Sequence, residues 1–510
     1  MVTPTGPTPG DPPTAGRASG DQPTTEPTPG YLPTAASLAE HTAPPWWREA
    51  KFGIMVTWGP YSVPAFACPE HSFYGFAEWY WFYQQVTPEE LRRHIPGFAA
   101  QSGHPHLEHH RREFGEHVTY DDLIDRWRAE AWDPKAWIEL FGEAGARYLV
   151  LVAKHHDGVA LWPSATTDRH TGALGPRRDI VGELTAAAAG SPLRTGLFYA
   201  MAEWFNPAPR PGRAADADEP LFDLAFNHRR EARNAFTGAP VPYRGYRPIG
   251  DYATDHVIPQ ITELVERYRP SILWFDLPGD DAYFRSNQVI ADFYNASATT
   301  APEGVAVNDR AGSAAHGDFR SFEYGHGHAA GGPQAPYEAC CAIGISFGHN
   351  DQENEAHLAS AAELIATLVD TVAHGGNLLL NVGPRADGTI PPAQAERLRA
   401  IGRWLAVNGE AVYGSSTWEI PAAGALRFTV GADGSLHVAA PPGPATELRL
   451  PTGATVREGG RFELLGHPHA LTWRIEGGHA VVALPDTDRV HAEDGPLFVL
   501  RYTGEEADSR

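Results

Sequence analysis

Cysteine is scarce in this chain of 510 residues, and the scarcity excludes one way of stabilising a fold. The three cysteines are Cys68, Cys340 and Cys341, and two of them are adjacent. So few thiols, placed in this way, cannot form the disulfide framework of a small secreted domain. We therefore expect Cys340 and Cys341 to be buried free thiols.

The chain also has few basic residues relative to acidic ones and no long apolar runs. The chain has 40 Lys and Arg residues against 63 Asp and Glu residues, a formal net charge of −23. Because so acidic a chain is repelled by phosphate backbones, nucleic acid is not expected as a partner. No stretch reaches the roughly 18 apolar residues of a membrane-spanning helix, so no membrane partner is expected either.

The first 33 residues lack the side chains that form a core. Pro, Thr, Gly and Ala dominate them, and the first aromatic residue is Tyr31. A segment of this composition cannot bury enough surface to fold, which predicts a disordered tail. The segment also lacks the basic start and apolar stretch of a signal peptide, so we expect a cytoplasmic protein.

The most informative stretch is 147–163, RYLVLVAKHHDGVALWP. Residues 148–152 form a short apolar run that is typical of a strand buried on both faces of a parallel sheet. The run ends in Lys154, His155, His156 and Asp157. Since ligands bind at the carboxyl ends of parallel strands, we expect these polar groups to lie at a binding site.

The same helix-and-strand step recurs between residues 50 and 410. Strands are predicted at 52–56, 148–152, 195–201, 271–275, 304–308, 318–324, 342–347 and 377–382. Residues 207–250 predict a long loop with a short helix near 222–235. This α/β pattern favours a (β/α) barrel of the TIM type. An open doubly wound sheet is the alternative, but no glycine-rich phosphate turn follows the first strand.

Beyond residue 418 the pattern changes to short strands separated by turn-sized gaps. This spacing is typical of a small antiparallel β-sandwich. The predicted organisation is a tail at 1–33, a catalytic barrel at 34–415 and a C-terminal β-sandwich at 416–510.

The predicted strand ends carry His155, His156, Asp157, Glu203, Asp276, Arg310 and Glu323. Two carboxylates on separate strands suit glycoside cleavage, in which one attacks the anomeric carbon and the other transfers a proton. Trp274 precedes Asp276 by two residues and so lies on the same face of its strand. Spacing alone leaves open which carboxylates form the pair.

Five histidines lie between residues 101 and 117, at positions 104, 106, 109, 110 and 117. Closely spaced histidines can bind zinc, but the segment has no HExxH pattern. Its charge and lack of an apolar stripe predict a solvated surface segment.

Nine ordered motifs between residues 46 and 415 resemble those of the α-L-fucosidases, glycoside hydrolase family 29. They are AKFGIMVTWGPYSVP, EWY, AKHHDGVALWP, RRDIVGEL, LFYAMAEWFNP, PSILWFD, VNDRAG, DFRSFEY and GGNLLLNVGPRADGTIPP. The resemblance implies a barrel with a C-terminal β-sandwich, and retaining hydrolysis of α-L-fucosides without a metal or other cofactor. A fucosylated glycan or glycoside is the implied partner, and a homo-oligomer is compatible with it.

The resemblance also implies roles for particular residues. Asp276 matches the family nucleophile, and Glu323 resembles the acid/base of the bacterial members. His155 and His156 match paired, neutral histidines that hold sugar hydroxyls. The other implied substrate-binding residues are Thr57, Trp58, Glu78, Trp79, Tyr199, Trp274 and Arg310.

Three features depart from the family pattern. Thr57-Trp58-Gly59 stands where family members usually have His-Trp-Gly. Leu277-Pro278 replaces a common Gly after Asp276. The histidine-rich segment is an insertion that could cap the aglycone side. The loss of a polar contact to a substrate hydroxyl costs about 1 to 3 kcal/mol. Thr57 therefore leaves open a second interpretation, in which the enzyme accepts another L-sugar or a deoxysugar, such as an α-L-galactoside. A non-catalytic carbohydrate-binding barrel is the third interpretation.

Overall fold

The computed structural model describes residues 30–71, 74–87, 89–90, 104–208, 231–276, 281–312, 316–325, 336–467, 469–485 and 496–504. Most of the predicted tail, most of the predicted helix near 222–235 and the Leu277-Pro278 pair lie outside these residues.

Eight parallel strands form the central sheet. They are β1 (Phe52–Val56), β2 (Tyr148–Lys154), β3 (Arg194–Ala200), β4 (Ile272–Asp276), β5 (Ala306–Val307), β6 (Arg320–Glu323), β7 (Tyr337–Ala342) and β8 (Asn377–Val382). Their order is β5-β4-β3-β2-β1-β8-β7-β6, and a parallel bridge between Asn308 and Phe319 joins the two outer strands. The strands therefore follow chain order around a barrel, as predicted, but the seventh strand lies at Tyr337–Ala342 and the prediction of 342–347 is wrong.

Helices surround and connect these strands. They are α1 (Ala35–Leu38), α2 (Pro45–Ala50), α3 (Tyr80–Gln85), α4 (Pro105–Glu113), α5 (Tyr120–Arg126), α6 (Pro134–Glu143), α7 (Ile180–Ala188), α8 (Ile258–Tyr268), α9 (Asp281–Phe284), α10 (Ser286–Ser297), α11 (Ala361–Ala373) and α12 (Pro392–Asn408). None of the described helices is long and apolar enough to cross a membrane. At the amino-terminal end of the described chain, the backbone of Tyr31 exchanges two hydrogen bonds with the side chain of Asn295.

The α6–β2 step shows how local sequence produces the barrel. Asp133 accepts hydrogen bonds from the first backbone amides of α6, and Pro134 occupies the first turn, where no amide donor is needed. The apolar face of α6 is buried, and every residue of β2 is buried as well. Burial of each large apolar side chain contributes about 1.5–3 kcal/mol, so this step is stabilised by packing on both sides of the sheet.

The C-terminal region is antiparallel. It comprises β9 (Ser416–Ala423), β10 (Leu426–Val430), β11 (Leu436–Ala440), β12 (Glu447–Pro451), β13 (Arg461–Leu464), β14 (Ala470–Leu471), β15 (Trp473–Glu476), β16 (His479–Ala483) and β17 (Phe498–Thr503). These strands form a six-stranded and a three-stranded sheet. The indole of Trp404 donates to the Leu497 carbonyl at 2.8 Å, and Arg427 pairs with Asp370, so the sheets pack on α11 and α12. The boundary at residue 416 stays a prediction.

The histidine-rich segment is the main surprise of the fold. His106, His109 and His110 on α4, and His104 at its N-cap, are all less than a tenth exposed, whereas His117 is exposed. We refer to the first four as the α4 histidines. The prediction of a solvated segment is therefore wrong for four of the five, because their rings pack among the side chains of Phe66, Tyr74, Tyr80 and Tyr83. Aromatic partners lie far away in sequence, so a local pattern does not reveal them.

Candidate active site

A cavity of about 250 Å³ opens at the carboxyl ends of the barrel strands. Its lining is Met55, Thr57, Phe76, Glu78, Trp79, Tyr83, Val152, His155, Phe198, Trp274, Asp276, Arg310, Glu323 and Phe347. Eight of the eleven predicted site residues are in this set. A ninth, His156, contacts Asp276, and the remaining two, Trp58 and Tyr199, lie elsewhere.

Asp276 is the last residue of β4 and its carboxylate faces two nitrogen groups. Arg310 Nη2 donates to Oδ1 at 2.6 Å, and His156 Nε2 lies 3.2 Å from Oδ2. Burial by itself raises the pKa of Asp276, but the positive charge of Arg310 and then the His156 contact outweigh it and hold the pKa well below its ordinary value. Asp276 is therefore ionised at neutral pH, as a nucleophile must be.

Glu323 is the last residue of β6 and stands at the mouth of the cavity, with its side chain 37% exposed. Removal from bulk water, followed by the negative charge of Asp276, raises the pKa of Glu323 to about 7, while Arg310 opposes the rise. A carboxyl with this pKa exchanges protons readily near neutral pH, which suits a general acid/base.

Arg310 connects the two carboxylates. Its Nη2 lies 2.6 Å from Asp276 Oδ1 and 3.3 Å from Glu323 Oε1, so those oxygens are at most about 5.9 Å apart, the sum of the two distances. The guanidinium carbon also lies 5.5 Å from the centre of the Trp274 ring, within cation–π range. One cation thus fixes both carboxylates and rests against the aromatic wall.

His155 and His156, which we call the β2 pair, follow β2 directly. Both are buried, and their ring centres are 4.8 Å apart. Burial and then the neighbouring His156 hold the pKa of His155 well below its ordinary value, so this ring is neutral. The ring of His156 lies behind the cavity wall, between Asp276 and the carbonyl of Ala202.

Glu78 and Trp79 lie in a short 3₁₀ turn, Ala77–Trp79, that reaches the cavity. Glu78 Oε2 accepts hydrogen bonds from the Gly348 amide at 2.8 Å and from Ser346 Oγ at 3.1 Å. Burial raises the pKa of Glu78 to about 7, although these hydrogen bonds act in the other direction. A buried carboxyl beside an indole can bind a sugar hydroxyl next to a stacking face.

Thr57 lines the cavity just beyond β1, but its hydroxyl proton is already used. Thr57 Oγ1 donates to Asn381 Oδ1 at 2.7 Å, and the Asn381 amide donates to the Phe347 carbonyl at 2.8 Å. Thr57 therefore offers a substrate only the lone pairs of its oxygen.

The structure corrects the expected positions of Trp58 and Tyr199. Trp58 packs in a cluster with Trp127, Trp132 and Trp137 outside the barrel interior. The Tyr199 hydroxyl accepts from Lys154 Nζ at 2.9 Å and donates to Gln260 Oε1 at 2.8 Å, in the layer between β3 and α8. Successive side chains of a strand face opposite sides, so Phe198, not Tyr199, reaches the cavity.

Two other acids at strand ends are also kept from the cavity by buried partners. Glu203 pairs with Lys154 Nζ at 2.6 Å, and Asp157 accepts from the Tyr120 hydroxyl at 2.7 Å. Their partners explain why these charges are buried without taking part in the site.

Sequence reasoning missed the apolar wall and one carboxylate beneath it. The missed wall residues are Met55, Phe76, Tyr83, Val152, Phe198 and Phe347. Glu338, fully buried on β7, accepts from the Trp274 indole at 2.8 Å and from the Tyr148 hydroxyl at 2.5 Å, and so fixes the indole. Strand parity could have found Phe198, which is in register with Trp274, but nothing local indicates Glu338.

One group of described side chains has the spacing of a metal site. Ligand atoms of His155, His156 and Asp276 lie within 4.8 Å of one another. However, Arg310 already binds Asp276, and both ring nitrogens of His156 face oxygen atoms. Arg310 already supplies a positive charge to Asp276, and His156 Nδ1 must donate its proton to the Ala202 carbonyl, so the donor set does not fit a resident metal.

Known proteins resemble this chain in sequence. The sequence model of the family described as alpha-L-fucosidase matches residues 20–410. An alpha-L-fucosidase of Dictyostelium discoideum is 34% identical over 403 residues, which cover 76% of this chain and 76% of that protein. The tissue alpha-L-fucosidase of Homo sapiens is 31% identical over 398 residues, covering 76% and 73%.

Solved structures are similar over most of the chain. The Thermotoga maritima alpha-fucosidase, solved in complex with fucose, is 32% identical with a TM-score of 0.73. The similarity covers 93% of this chain and 100% of the T. maritima chain.

Proposed function

The chain belongs to the α-L-fucosidase family of glycoside hydrolases, and on that premise we propose that it is a retaining exo-glycosidase. In this proposal it removes α-L-fucosyl groups from glycans or glycosides through a covalent glycosyl-enzyme. Asp276 is the nucleophile and Glu323 is the acid/base.

The observation that carries the proposal is the carboxylate pair bridged by Arg310. Oxygens at most about 5.9 Å apart favour the retaining arrangement, since inverting enzymes need about 6.5–9.5 Å to fit a water between carboxyl groups. The two acids also differ in protonation, because the pKa of Asp276 is held low while that of Glu323 is raised to about 7. This asymmetry matches one nucleophile and one proton donor.

In the first step, an oxygen of Asp276 attacks the anomeric carbon while the bond to the leaving oxygen breaks. Glu323 gives its proton to that oxygen, so the aglycone leaves as a neutral alcohol. The nucleophile is now an ester and carries no charge. Glu323 is left as a carboxylate at the exposed mouth of the cavity.

In the second step, Glu323 takes a proton from a water molecule as its oxygen attacks the anomeric carbon. The ester bond breaks and its electron pair returns to Asp276. Two inversions at the same carbon give net retention. We assign Glu78, Trp79 and His155 to the binding of the sugar, because their polar atoms and rings line the same cavity.

The test is hydrolysis of 4-nitrophenyl α-L-fucoside by the wild type and by Asp276→Gly, with and without azide. We expect turnover by the wild type, its loss in the variant, and partial rescue as azide replaces the missing nucleophile. The fucose first released by the wild type should have the α configuration by proton NMR. Asp168→Asn, at an exposed carboxylate that pairs with Arg247, is a matched control and should keep full activity.

A different L-sugar is the second candidate, favoured by the Thr57–Asn381 hydrogen bond. Because the Thr57 proton is used, a substrate hydroxyl that needs a donor there loses about 1 to 3 kcal/mol, a factor of roughly 5 to 150. Comparing kcat/KM for aryl α-L-fucoside and aryl α-L-galactoside separates the two candidates. A preference for the galactoside in the wild type, reversed by Thr57→His, would establish the second.

A non-catalytic carbohydrate-binding barrel predicts sugar binding with no turnover of either glycoside. The cytoplasmic location and a homo-oligomeric state stay predictions.

A further inference from the structure

His156 occupies an unusual position for a buried histidine, because both ring nitrogens face oxygen atoms. The Nδ1 atom lies 2.7 Å from the Ala202 carbonyl oxygen, and Nε2 lies 3.2 Å from Asp276 Oδ2. The side chain is fully buried. The identity of the two oxygens decides which protons the ring carries.

Neither oxygen can donate. A backbone carbonyl only accepts, so the hydrogen bond to Ala202 requires a proton on Nδ1. Asp276 is ionised and accepts the Arg310 guanidinium at its other oxygen, so Oδ2 also only accepts. A neutral ring protonated at Nδ1 would turn the lone pair of Nε2 towards a carboxylate, which is repulsive. Protons on both nitrogens satisfy both contacts.

We propose that His156 is an imidazolium in the free enzyme and is a catalytic residue that stabilises the charge that returns to Asp276 as the glycosyl-enzyme ester breaks. The proposal rests on Asp276 being the nucleophile. As the ester forms, Asp276 loses its charge, and as the ester breaks, negative charge returns to the carboxylate beside His156. The proton stays on His156 throughout, so no further proton carrier is required. A preorganised cation at the developing charge lowers the barrier to ester cleavage.

The charged groups nearest the ring are consistent with this assignment. Arg310 is the second cation on Asp276, and its Nη2 also pairs with Glu323. Burial, and then the neighbouring His156, lower the pKa of His155, so His155 adds no positive charge. Two cations around one buried carboxylate are balanced when Glu323 is ionised and leave a single excess charge when it is protonated.

The acids on the remaining neighbouring elements have hydrogen-bond or ion-pair partners other than His156. On the β3 side, Glu203 binds Lys154 Nζ at 2.6 Å and His256 Nε2 at 2.7 Å. At the end of β2, Asp157 is bonded to the Tyr120 hydroxyl, and Glu78 is bonded to Ser346 and the Gly348 amide. Asp276 is therefore the carboxylate with which the His156 charge is paired.

Neutron diffraction from perdeuterated crystals at about pD 7 tests the charge directly. We expect deuterium on both ring nitrogens of His156 in the wild type and on Nδ1 alone in Asp276→Asn, whose amide removes the anion. His110 is an internal control in the same crystals, since Nε2 donates to the Val118 carbonyl and Nδ1 accepts from Tyr80, so it should carry one deuterium. A single deuterium on wild-type His156 overturns the proposal.

Kinetics with α-L-fucosyl fluoride test the role. Fluoride leaves without protonation by Glu323, so the ester forms quickly and its cleavage limits kcat. We expect His156→Gln to cleave the ester about 10²- to 10³-fold more slowly, so kcat falls by that factor and the glycosyl-enzyme accumulates to a level visible by mass spectrometry. An unchanged kcat in His156→Gln overturns the role.

Two controls separate this proposal from other failures. His437→Asn alters a histidine–carboxylate pair of the β-sandwich, where Nε2 lies 3.0 Å from Glu410 Oε1, and should leave kcat unchanged. If azide fails to rescue Asp276→Gly, the assigned nucleophile is wrong. The deuterium count on His156 does not depend on turnover, so it is read separately.

Discussion

The β2 pair and the α4 histidines are buried to a similar degree, yet their ring nitrogens meet different neighbours. His104 and His110 each donate from Nε2 to a carbonyl, of Val86 and Val118 respectively, and each accepts a hydrogen bond at Nδ1. His156 faces a carbonyl at one nitrogen and a carboxylate at the other. One donor and one acceptor stabilise a neutral ring, whereas two acceptors require a charged one.

The comparison teaches that burial alone does not decide the charge of a histidine. Burial lowers the pKa of His104, His106, His109 and His110, and nothing nearby compensates strongly enough to reverse it. His156 differs because one ring nitrogen faces the carboxylate of Asp276, an anion that can stabilise a charged ring. We therefore expect variants at the mouth to change the rate and variants around α4 to change stability, and the predictions below are ordered by the size of the effect.

Asp276→Asn should give the largest effect. It removes the nucleophile and also the anion opposite His156, so the ring should adopt the neutral state of the α4 histidines. We expect kcat to fall by about 10⁴-fold, the size seen when a residue of a catalytic unit is removed. Steady-state hydrolysis of an aryl fucoside measures the loss, and circular dichroism checks folding. A loss below tenfold would place the nucleophile elsewhere.

Glu323→Gln should give the next largest effect. We expect kcat/KM to fall by about 10²- to 10⁴-fold for a substrate with a poor leaving group. Since the pKa of Glu323 is raised to about 7, the acid form is present below that pH and is lost as the pH rises through it. The wild type should therefore lose kcat/KM above about pH 7, and the variant should lack this dependence for that substrate. Glu70→Gln, at an exposed carboxylate paired with His357, is the matched control.

His110→Phe should destabilise the protein while leaving the rate nearly unchanged. Phenylalanine fills the same space but leaves the Tyr80 hydroxyl and the Val118 carbonyl without this partner. An unmatched buried polar group costs about 1–3 kcal/mol, so the melting temperature should fall. Differential scanning calorimetry measures the change, and an unaltered melting temperature would show that water or another group replaces the ring.

His106→Phe should have the smallest effect and the opposite sign. His106 is fully buried, and within the described part of the chain neither ring nitrogen has a hydrogen-bond partner. Replacing it should therefore raise stability, by about 1 kcal/mol.

The pH dependence of that gain provides a check. The pKa of His106 is lowered well below 6.5 by burial, so below about pH 6.5 the unfolded chain binds a proton that the folded chain does not. His106 therefore leaves the free energy of unfolding independent of pH above that value and lowers it as the pH decreases further. The melting temperature of His106→Phe should exceed that of the wild type by more at pH 5 than at pH 7.5. His117→Gln, exposed in the same segment, should show no difference.

The sequence determined the barrel and where its functional ends lie. β1 and β8 have the bounds predicted from their apolar runs, and Asp276 and Glu323 end their strands as expected. These features depend on apolar runs, caps and turns within a few residues, which the local sequence contains. The nine motifs added the family, and with it the carboxylate pair that spacing had left open.

Only the tertiary structure decided which neighbours each side chain meets. Thr57 and Asn381 are 324 residues apart in sequence, and their hydrogen bond determines what Thr57 can offer a substrate. Which of two adjacent strand residues faces the cavity, and which atoms surround each histidine, are likewise set by contacts between distant segments. The physical reason is that hydrogen-bond donors and charges act over a few ångströms in space, so their pairing depends on the completed fold.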